Sequence, residues 1–538
     1  MRSRRILLAL AAGAAGVTAL AAPTAAVTGG PTFTPPSRAD NPAITAANGP
    51  KYVSEPATVV GSGGTRYVAY QRGSQLSSTT NGGRSWTYIG GSDVLSKNVS
   101  GCTPVSDVGD VDLAADRVGG IYFADLEITA GQTLDTGIQP IVAHSYGTGF
   151  STYAGTCAGH QPASVDREWL AAYTAPGQTS ANTNLYLSYH DFGPNFISVN
   201  ASHDGGKTWS LPVPVVDNPK AVDASGCDTV PAGTAVDPRN GWVYVAWTSG
   251  DNPAKNAATG CNYTQGTVFN HFWVAVSKDG GKTFTTSKAV NTPDATQPHP
   301  SDMSEIFGSI AVDRSGGVYI AYTAYGQTDL QYDVFLNYSA PADSTGALHF
   351  GPARRVSGPA SHTAYLPRLV AGDSGRVDVI YLGTAVRNVP VTPANLQTYN
   401  GSNPSLPNCS PNKTDPNKGV RYPGKPCQLP ATAAWYIYLA QSLNAASSAP
   451  TFAVQSLRPD PMHMGDICTL GIFCLSDDNR DLADTNDVKI DATGGAQVAY
   501  TDESYPSTAP SGRTEIDFQC QTGGPGLYAG VSVRSCRS

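Results

Sequence analysis

Apolar residues along this chain come in short runs, either alternating with polar residues or continuous, and each run is broken by Gly, Asp, Asn or Pro. No long stretch carries the 3.6-residue apolar period of an amphipathic helix, so the pattern predicts strands. Seven segments follow one plan: a first strand, a turn with Gly or Asp, and a second strand ending in an aromatic residue or Asp. The second strands read Arg66-Tyr-Val-Ala-Tyr70, Ile121-Tyr-Phe-Ala-Asp125, Leu185-Tyr-Leu-Ser-Tyr189, Val243-Tyr-Val-Ala-Trp247, Val318-Tyr-Ile-Ala-Tyr322, Val377-Asp-Val-Ile-Tyr381 and Ala496-Gln-Val-Ala-Tyr500. Their last positions are separated by 55, 64, 58, 75, 59 and 119 residues. A unit of about this length with four short strands predicts an all-β fold, a β-propeller of seven four-stranded blades, with six or eight as the alternatives.

The interval of 119 residues is nearly two periods, but residues 390–430 are rich in Pro and Asn and lack strand patterning. They are expected to form a long loop inserted in the sixth repeat, with Trp435-Tyr-Ile-Tyr-Leu439 as its third strand. Residues 31–538 are therefore read as a single domain.

Composition agrees: Gly 57 and Pro 40 supply turns, and Tyr 26 against Phe 14 suits strands with one wet edge. Charged residues make up 14% of the chain and the net charge is -8, which implies no basic surface for nucleic acid. Met1-Arg-Ser-Arg-Arg5, the apolar stretch Ile6 to Ala22 and the small residues after it predict a secretory signal peptide within residues 1–30. No second apolar span follows. The mature chain is expected outside the cell, not inserted in a membrane, and as a monomer. An exported chain with 10 Cys predicts disulfides, and pairing in sequence order is expected: Cys102–Cys157, Cys227–Cys261, Cys409–Cys427, Cys468–Cys474 and Cys520–Cys536. Zinc is the rival for Cys468 and Cys474, but no His/Cys set at finger-like spacing accompanies them.

Three segments share a further motif: Ser202-His-Asp-Gly-Gly-Lys-Thr-Trp209, Ser277-Lys-Asp-Gly-Gly-Lys-Thr-Phe284 and the looser Ser78-Thr-Thr-Asn-Gly-Gly-Arg-Ser-Trp86. Asp and Ser side chains bond a turn backbone, the glycines permit positive φ, and the terminal aromatic packs inward. These segments resemble the Asp box of sialidases and related BNR-repeat propellers. The resemblance covers roughly Glu55 to Tyr505 at the level of architecture, and the motif itself has a structural role. Sialidases bind a substrate carboxylate with three arginines and use a Tyr nucleophile assisted by Glu, with an Asp as acid/base. Their Phe/Tyr-Arg-Ile-Pro motif has no counterpart here, where the corresponding segment is Lys51-Tyr-Val-Ser-Glu-Pro56.

In a propeller, the loops before first strands and after second strands share one face, which is where a substrate site belongs. The polar residues there include Glu55, Asp107, Asp110, Asp112, Asp228, Asp302, Glu305, Asp484 and Asp487 before first strands. Arg72, Asp125, Glu127, His190, Asp191, Asp502 and Glu503 follow second strands. Polar residues on exposed loops are ordinary, so one cluster is singled out: Asp166-Arg-Glu-Trp-Leu170 sets three charges at the mouth of a first strand. The candidate catalytic residues are Asp166, Glu168, Asp112 and Tyr365, and the candidate substrate-binding residues are Arg167, Arg368, Arg480 and His190. No cofactor is required on this reading; calcium is the ion that the oxygen-rich run Asp478, Asp481, Asp484 would suit.

The function expected is a secreted glycoside hydrolase acting on glycans, sialosides among them. The alternatives are a non-catalytic propeller binding glycan or protein, and a polysaccharide lyase using His160, His190 or Tyr365. A protease has little support, since no Gly-x-Ser-x-Gly or His-Glu-x-x-His segment appears.

Overall fold

The computed structural model describes residues 29–534 and 536, apart from 44–52, 72–74, 92–98, 101, 134–137, 147–153, 158–163, 193–195, 217–228, 252–267, 292–302, 304–306, 326–330, 388–432, 466, 468–481 and 504–513. The signal peptide, the inserted loop, Arg480 and the Asp478 and Asp481 pair fall outside the described residues, as do six of the ten cysteines.

The expected second strands all form. Arg66–Tyr70 keeps its predicted bounds; the others extend to Gly120–Thr129, Asn184–Asp191, Val243–Asp251, Val318–Tyr325, Val377–Thr384 and Ala496–Asp502. Their apolar residues fill both faces, because each sheet packs against a neighbour on either side; every residue of Val377–Thr384 and Ala496–Asp502 is buried. The cores lie between sheets: Ala57, Val59 and Tyr67 of one meet Val111, Leu113 and Phe123 of the next.

The first strands are Ala57–Val60, Pro104–Ala115, Val165–Tyr173, Thr229–Val236, Ser309–Val312, Thr363–Ala371 and Asp487–Ile490. Each packs beside the next in that order, and Asp487–Ile490 packs beside Ala57–Val60, so the ring closes. This is a β-propeller. The expected seven separate four-stranded blades are not what the hydrogen bonding shows. Among the described residues there are five sheets of four or five strands and one of nine. The nine-stranded sheet arises because Tyr332 and Thr363 pair in parallel and join strands of two successive repeats edge to edge. It contains Ala434–Ser442 antiparallel to Val377–Thr384, the third-strand position expected for Trp435–Leu439.

The last sheet takes its outer strands from the other end of the chain: Thr32–Phe33 and Ser37–Arg38 pair with Glu515–Gly523. Disulfides Cys102–Cys157 and Cys520–Cys536 form as expected; the other expected pairs lie outside the described residues. No helix among the described residues is long and apolar enough to cross a membrane.

Two kinds of side-chain lock hold the hairpins. Between first and second strands, Asp116 Oδ1 accepts the Val118 and Gly120 N–H groups at 2.9 and 2.7 Å, and Asp313 Oδ1 accepts those of Ser315 and Gly317 at 2.8 and 2.9 Å. Gly119 (φ 115°) and Gly316 (φ 82°) supply the left-handed step these turns need. After third strands, Asp204 Oδ1 accepts Ser202 Oγ–H, Lys207 N–H and Thr208 N–H, and Asp279 repeats the pattern with Ser277, Lys282 and Thr283. In the third copy Thr79, not Ser78, occupies the serine position: its Oγ1 accepts the Gly83 N–H as Ser202 Oγ accepts that of Gly206.

Candidate functional site

Several first strands break register at the end where they enter the ring. Bulges fall between Asp107 and Val111, Asp166 and Trp169, Pro231 and Gly233, and Tyr365 and Arg368. A bulge turns side chains that would alternate between faces toward the axis. Gly109 and Gly233 take positive φ there, but Arg167 (φ 50°) and Leu366 (φ 55°) do so without being glycine, as does Glu55 (φ 49°) just before its strand. Each such non-glycine residue costs on the order of 1 kcal/mol or more. At Glu55 and Arg167 the strain is held by charge.

Residues from opposite sides of the ring meet through these bulges. Arg167 Nη1 donates to Glu55 Oε2 at 3.3 Å and lies 3.7 Å from Asp110 Oδ1. The Arg167 N–H donates to Asp110 Oδ2 at 3.2 Å. Gln71 Nε2 bridges the two carboxylates, 2.7 Å from Glu55 Oε2 and 2.6 Å from Asp110 Oδ1. The Asp484 N–H donates to Glu55 Oε1 at 3.2 Å. Burial pulls the Arg167 guanidinium down, but Asp110, Glu55 and Glu168 more than offset it, and the group is held above its ordinary value. Arg167 and Arg368 each place a guanidinium on the Trp169 indole, at 4.2 and 4.1 Å from its centroid, and Phe307 meets that ring edge-on at 6.0 Å. This stack plugs the axis.

Asp166 is exposed, next in sequence to the buried Arg167 and Glu168, so a ligand can reach it. Desolvation first, then repulsion from Asp110 and the hydrogen bond that the protonated Asp166 donates to it, raise its carboxyl to about 7.

The other sequence candidates lie deeper. Glu168 is fully buried, and desolvation holds its carboxyl well above the usual range. Arg368 is 8% exposed, 3.8 Å from Asp487, and lowered by desolvation. His190 is buried opposite Asp166 in the strand register, with its ring edge on Phe192, and burial lowers it to about 3.

Two catalytic candidates lie inside the fold. Tyr365 is 1% exposed and sits among Tyr332, Ile380 and Trp435 in the core. Asp112 is a buried bridge between first strands: Oδ1 accepts the Leu113 N–H at 2.8 Å and Oδ2 the Leu170 N–H at 2.7 Å. Asp487 does the same where the ring closes, accepting Val488 and Thr58 N–H groups, each at 2.9 Å. Of the expected calcium ligands only Asp484 is described, and it serves Glu55 through its N–H. The metal-capable group among the described residues is elsewhere, at Asp502, Glu515 and Asp517.

Glu55 and Asp110 were placed on this face in sequence but not chosen as candidates, and Gln71 was not named. The signal that marks Glu55 is geometric, a bulky residue at positive φ.

No family model matches the chain, and no curated protein matches it. Among solved structures it is similar to YCF48 from Cyanidioschyzon merolae, at 9% identity over 91% of this chain and 99% of that one, TM-score 0.41. It is also similar to the α-L-arabinofuranosidase Arb93A from Fusarium graminearum, at 16% identity over 66% of this chain and 92% of that one, TM-score 0.37. Trypanosoma rangeli sialidase matches at 11% identity over 62% of this chain and 52% of that one, TM-score 0.33. Likeness at this level carries no chemistry across. The chain's own geometry describes it: a β-propeller whose ring is plugged by an arginine–tryptophan stack beneath a mouth lined with carboxyl groups.

Proposed function

We propose that this protein is a secreted, carbohydrate-active propeller, a glycoside hydrolase in which Asp166 is the general acid. The observation that carries this reading is the exposed Asp166 carboxyl hydrogen-bonded to Asp110 at the mouth of the ring. Two carboxyls in contact share a proton, and here Asp166 holds it near neutral pH, where a proton donor to a leaving glycosidic oxygen is needed. The two carboxyls that flank a scissile glycosidic bond stand about 5–9.5 Å apart. A hydrogen-bonded pair is closer than that, so Asp166 and Asp110 act as one acid unit on one side of the bond. Asp110 is fixed by Gln71 and Arg167, and its charge stabilises the proton on Asp166. Trp169 and the two arginines form the floor and exclude water from beneath.

Disulfides suit an oxidising compartment, which supports export. A glycan-binding role without turnover is the second reading; the buried, already paired state of Arg167 and Arg368 favours it over recognition of an acidic sugar by open arginines.

The test is hydrolysis of fluorogenic sialoside, arabinofuranoside and glucuronide probes across pH. Asp166→Asn is expected to lower kcat by at least about 100-fold. Asp110→Asn removes the neighbouring charge, so the Asp166 proton is lost more easily and the alkaline limb of the pH profile moves to lower pH. Hydrolysis that survives Asp166→Asn, or an unmoved limb in Asp110→Asn, overturns the acid assignment.

A further inference from the structure

We propose that Phe192 is the stacking platform on which the apolar face of a sugar ring rests beside Asp166; this rests on the reading of Asp166 as the acid. Among the described residues large apolar side chains are seldom exposed, and Phe192, 45% exposed, is one of the few. Its place is set by the strand register. Asp166 pairs with His190, and the Phe192 N–H donates to the Ser164 carbonyl at 3.0 Å, so the two strands are still joined there. Phe192 stands one residue past the strand that ends at Asp191, and its N–H bond to Ser164 carries the ladder one step further. It therefore falls on the side of His190, two residues before it, which Asp166 also takes through its pairing with His190. The His190 ring meets the Phe192 ring at 4.7 Å and 79°, which props the phenyl group edge-on from below. His190 itself is buried and neutral, so the prop carries no charge to attract water under the ring.

The result is an apolar aromatic surface next to an exposed acid on the same edge of the same sheet. A saccharide offers a matching pair of features: a patch of C–H groups on one ring face and polar oxygens at its rim. The aromatic ring takes the first, and Asp166 is placed to reach a rim oxygen. A charged or purely aliphatic ligand matches only half of this arrangement.

The experiment measures binding separately from turnover. In full-length Asp166→Asn protein, which does not consume the probe, a sialyl-lactose, an arabino-oligosaccharide and a glucuronate oligosaccharide are titrated by calorimetry. Phe192 is then changed to Leu, which keeps an apolar side chain on His190 without a π face, and to Trp, which keeps the face. For the probe that binds, Phe192→Leu is expected to weaken affinity about five- to tenfold while Phe192→Trp retains it. Melting temperatures within the error of the parent confirm that the exposed side chain was not holding the fold. Leu and Phe binding alike, or none of the three probes binding the parent, overturns the platform. The acid assignment fails on different evidence, the wild-type turnover assay, so a glycan-binding protein without hydrolysis would keep the platform and lose the enzyme.

Discussion

At the residue scale, a carboxylate's role is decided by what points at it. Asp112 and Asp166 both lie at first-strand mouths, and only their partners separate them. Asp112 has backbone N–H donors on each oxygen and is buried; Asp166 is open and faces another carboxyl. Replacing Asp112 by Ala orphans the Leu113 and Leu170 N–H groups in the interior. It should lower stability by about 2–6 kcal/mol, at about 1–3 kcal/mol for each of the two buried groups left unsatisfied. Urea denaturation measures this, and a change under 0.5 kcal/mol would contradict the bridging role. In sequence, Asp166-Arg-Glu-Trp169 was legible as a dense charge cluster. Arg368 was a candidate and Glu55 was placed on the same face, but that they and Gln71 meet this cluster was not legible, because they come from other repeats, far away in the chain.

At the element scale, the repeat is a hairpin stack whose turns are tied by single aspartates. Asp116 is the most heavily used: beyond two backbone N–H groups, its Oδ2 accepts the Tyr122 hydroxyl at 2.9 Å and the Thr183 hydroxyl at 2.9 Å, and Thr183 belongs to the next repeat. Asp116→Ala should therefore loosen two sheets at once. Hydrogen exchange should rise at both Gly120 and Tyr122 and around Thr183, with a stability loss of about 3 kcal/mol. Exchange confined to the Asp116 turn would show that the tie between repeats is unimportant. The strand runs were readable because continuous apolar segments bounded by Gly and Asp leave few alternatives. The edge-to-edge pairing of Tyr332 with Thr363 was not, since backbone pairing between strand edges leaves no side-chain signature.

At the scale of the whole molecule, the ring is closed by the chain's two ends. Thr32–Phe33 and Ser37–Arg38 cover the edge of Glu515–Gly523, which would otherwise present unpaired backbone. At this seam Arg38 bonds Asp40 and lies 3.4 Å from Glu515, while Arg458 pairs with Asp502 and lies 3.6 Å from Asp517. Desolvation, followed by repulsion from Asp517, raises Glu515 to about 7, and desolvation raises Asp517 to about 6. The sign follows from linkage: a carboxyl raised by folding stabilises the fold while it is protonated. That contribution is full below the unfolded value of about 4.5 and is lost as pH rises through about 7. Glu515→Gln stays neutral, so its melting temperature should gain on the wild type between pH 5 and 8. Parallel melting curves across that range would remove Glu515 from the seam's pH response.

The sequence by itself determined the class of fold, the positions of the second strands and the neighbours in two disulfides. These depend on local matters: alternation of apolar residues, turn chemistry, and cysteines close to one another in the repeat scheme. Only the tertiary structure decided which charges form the site. Ring closure brings Glu55, Asp110, Arg167 and Arg368 together from separate repeats, and bulges at positive φ aim them at the axis. It also decided that Tyr365 and Asp112 belong to the interior. Burial depends on what packs against a residue, and in a ring of repeats that neighbour is a whole repeat away.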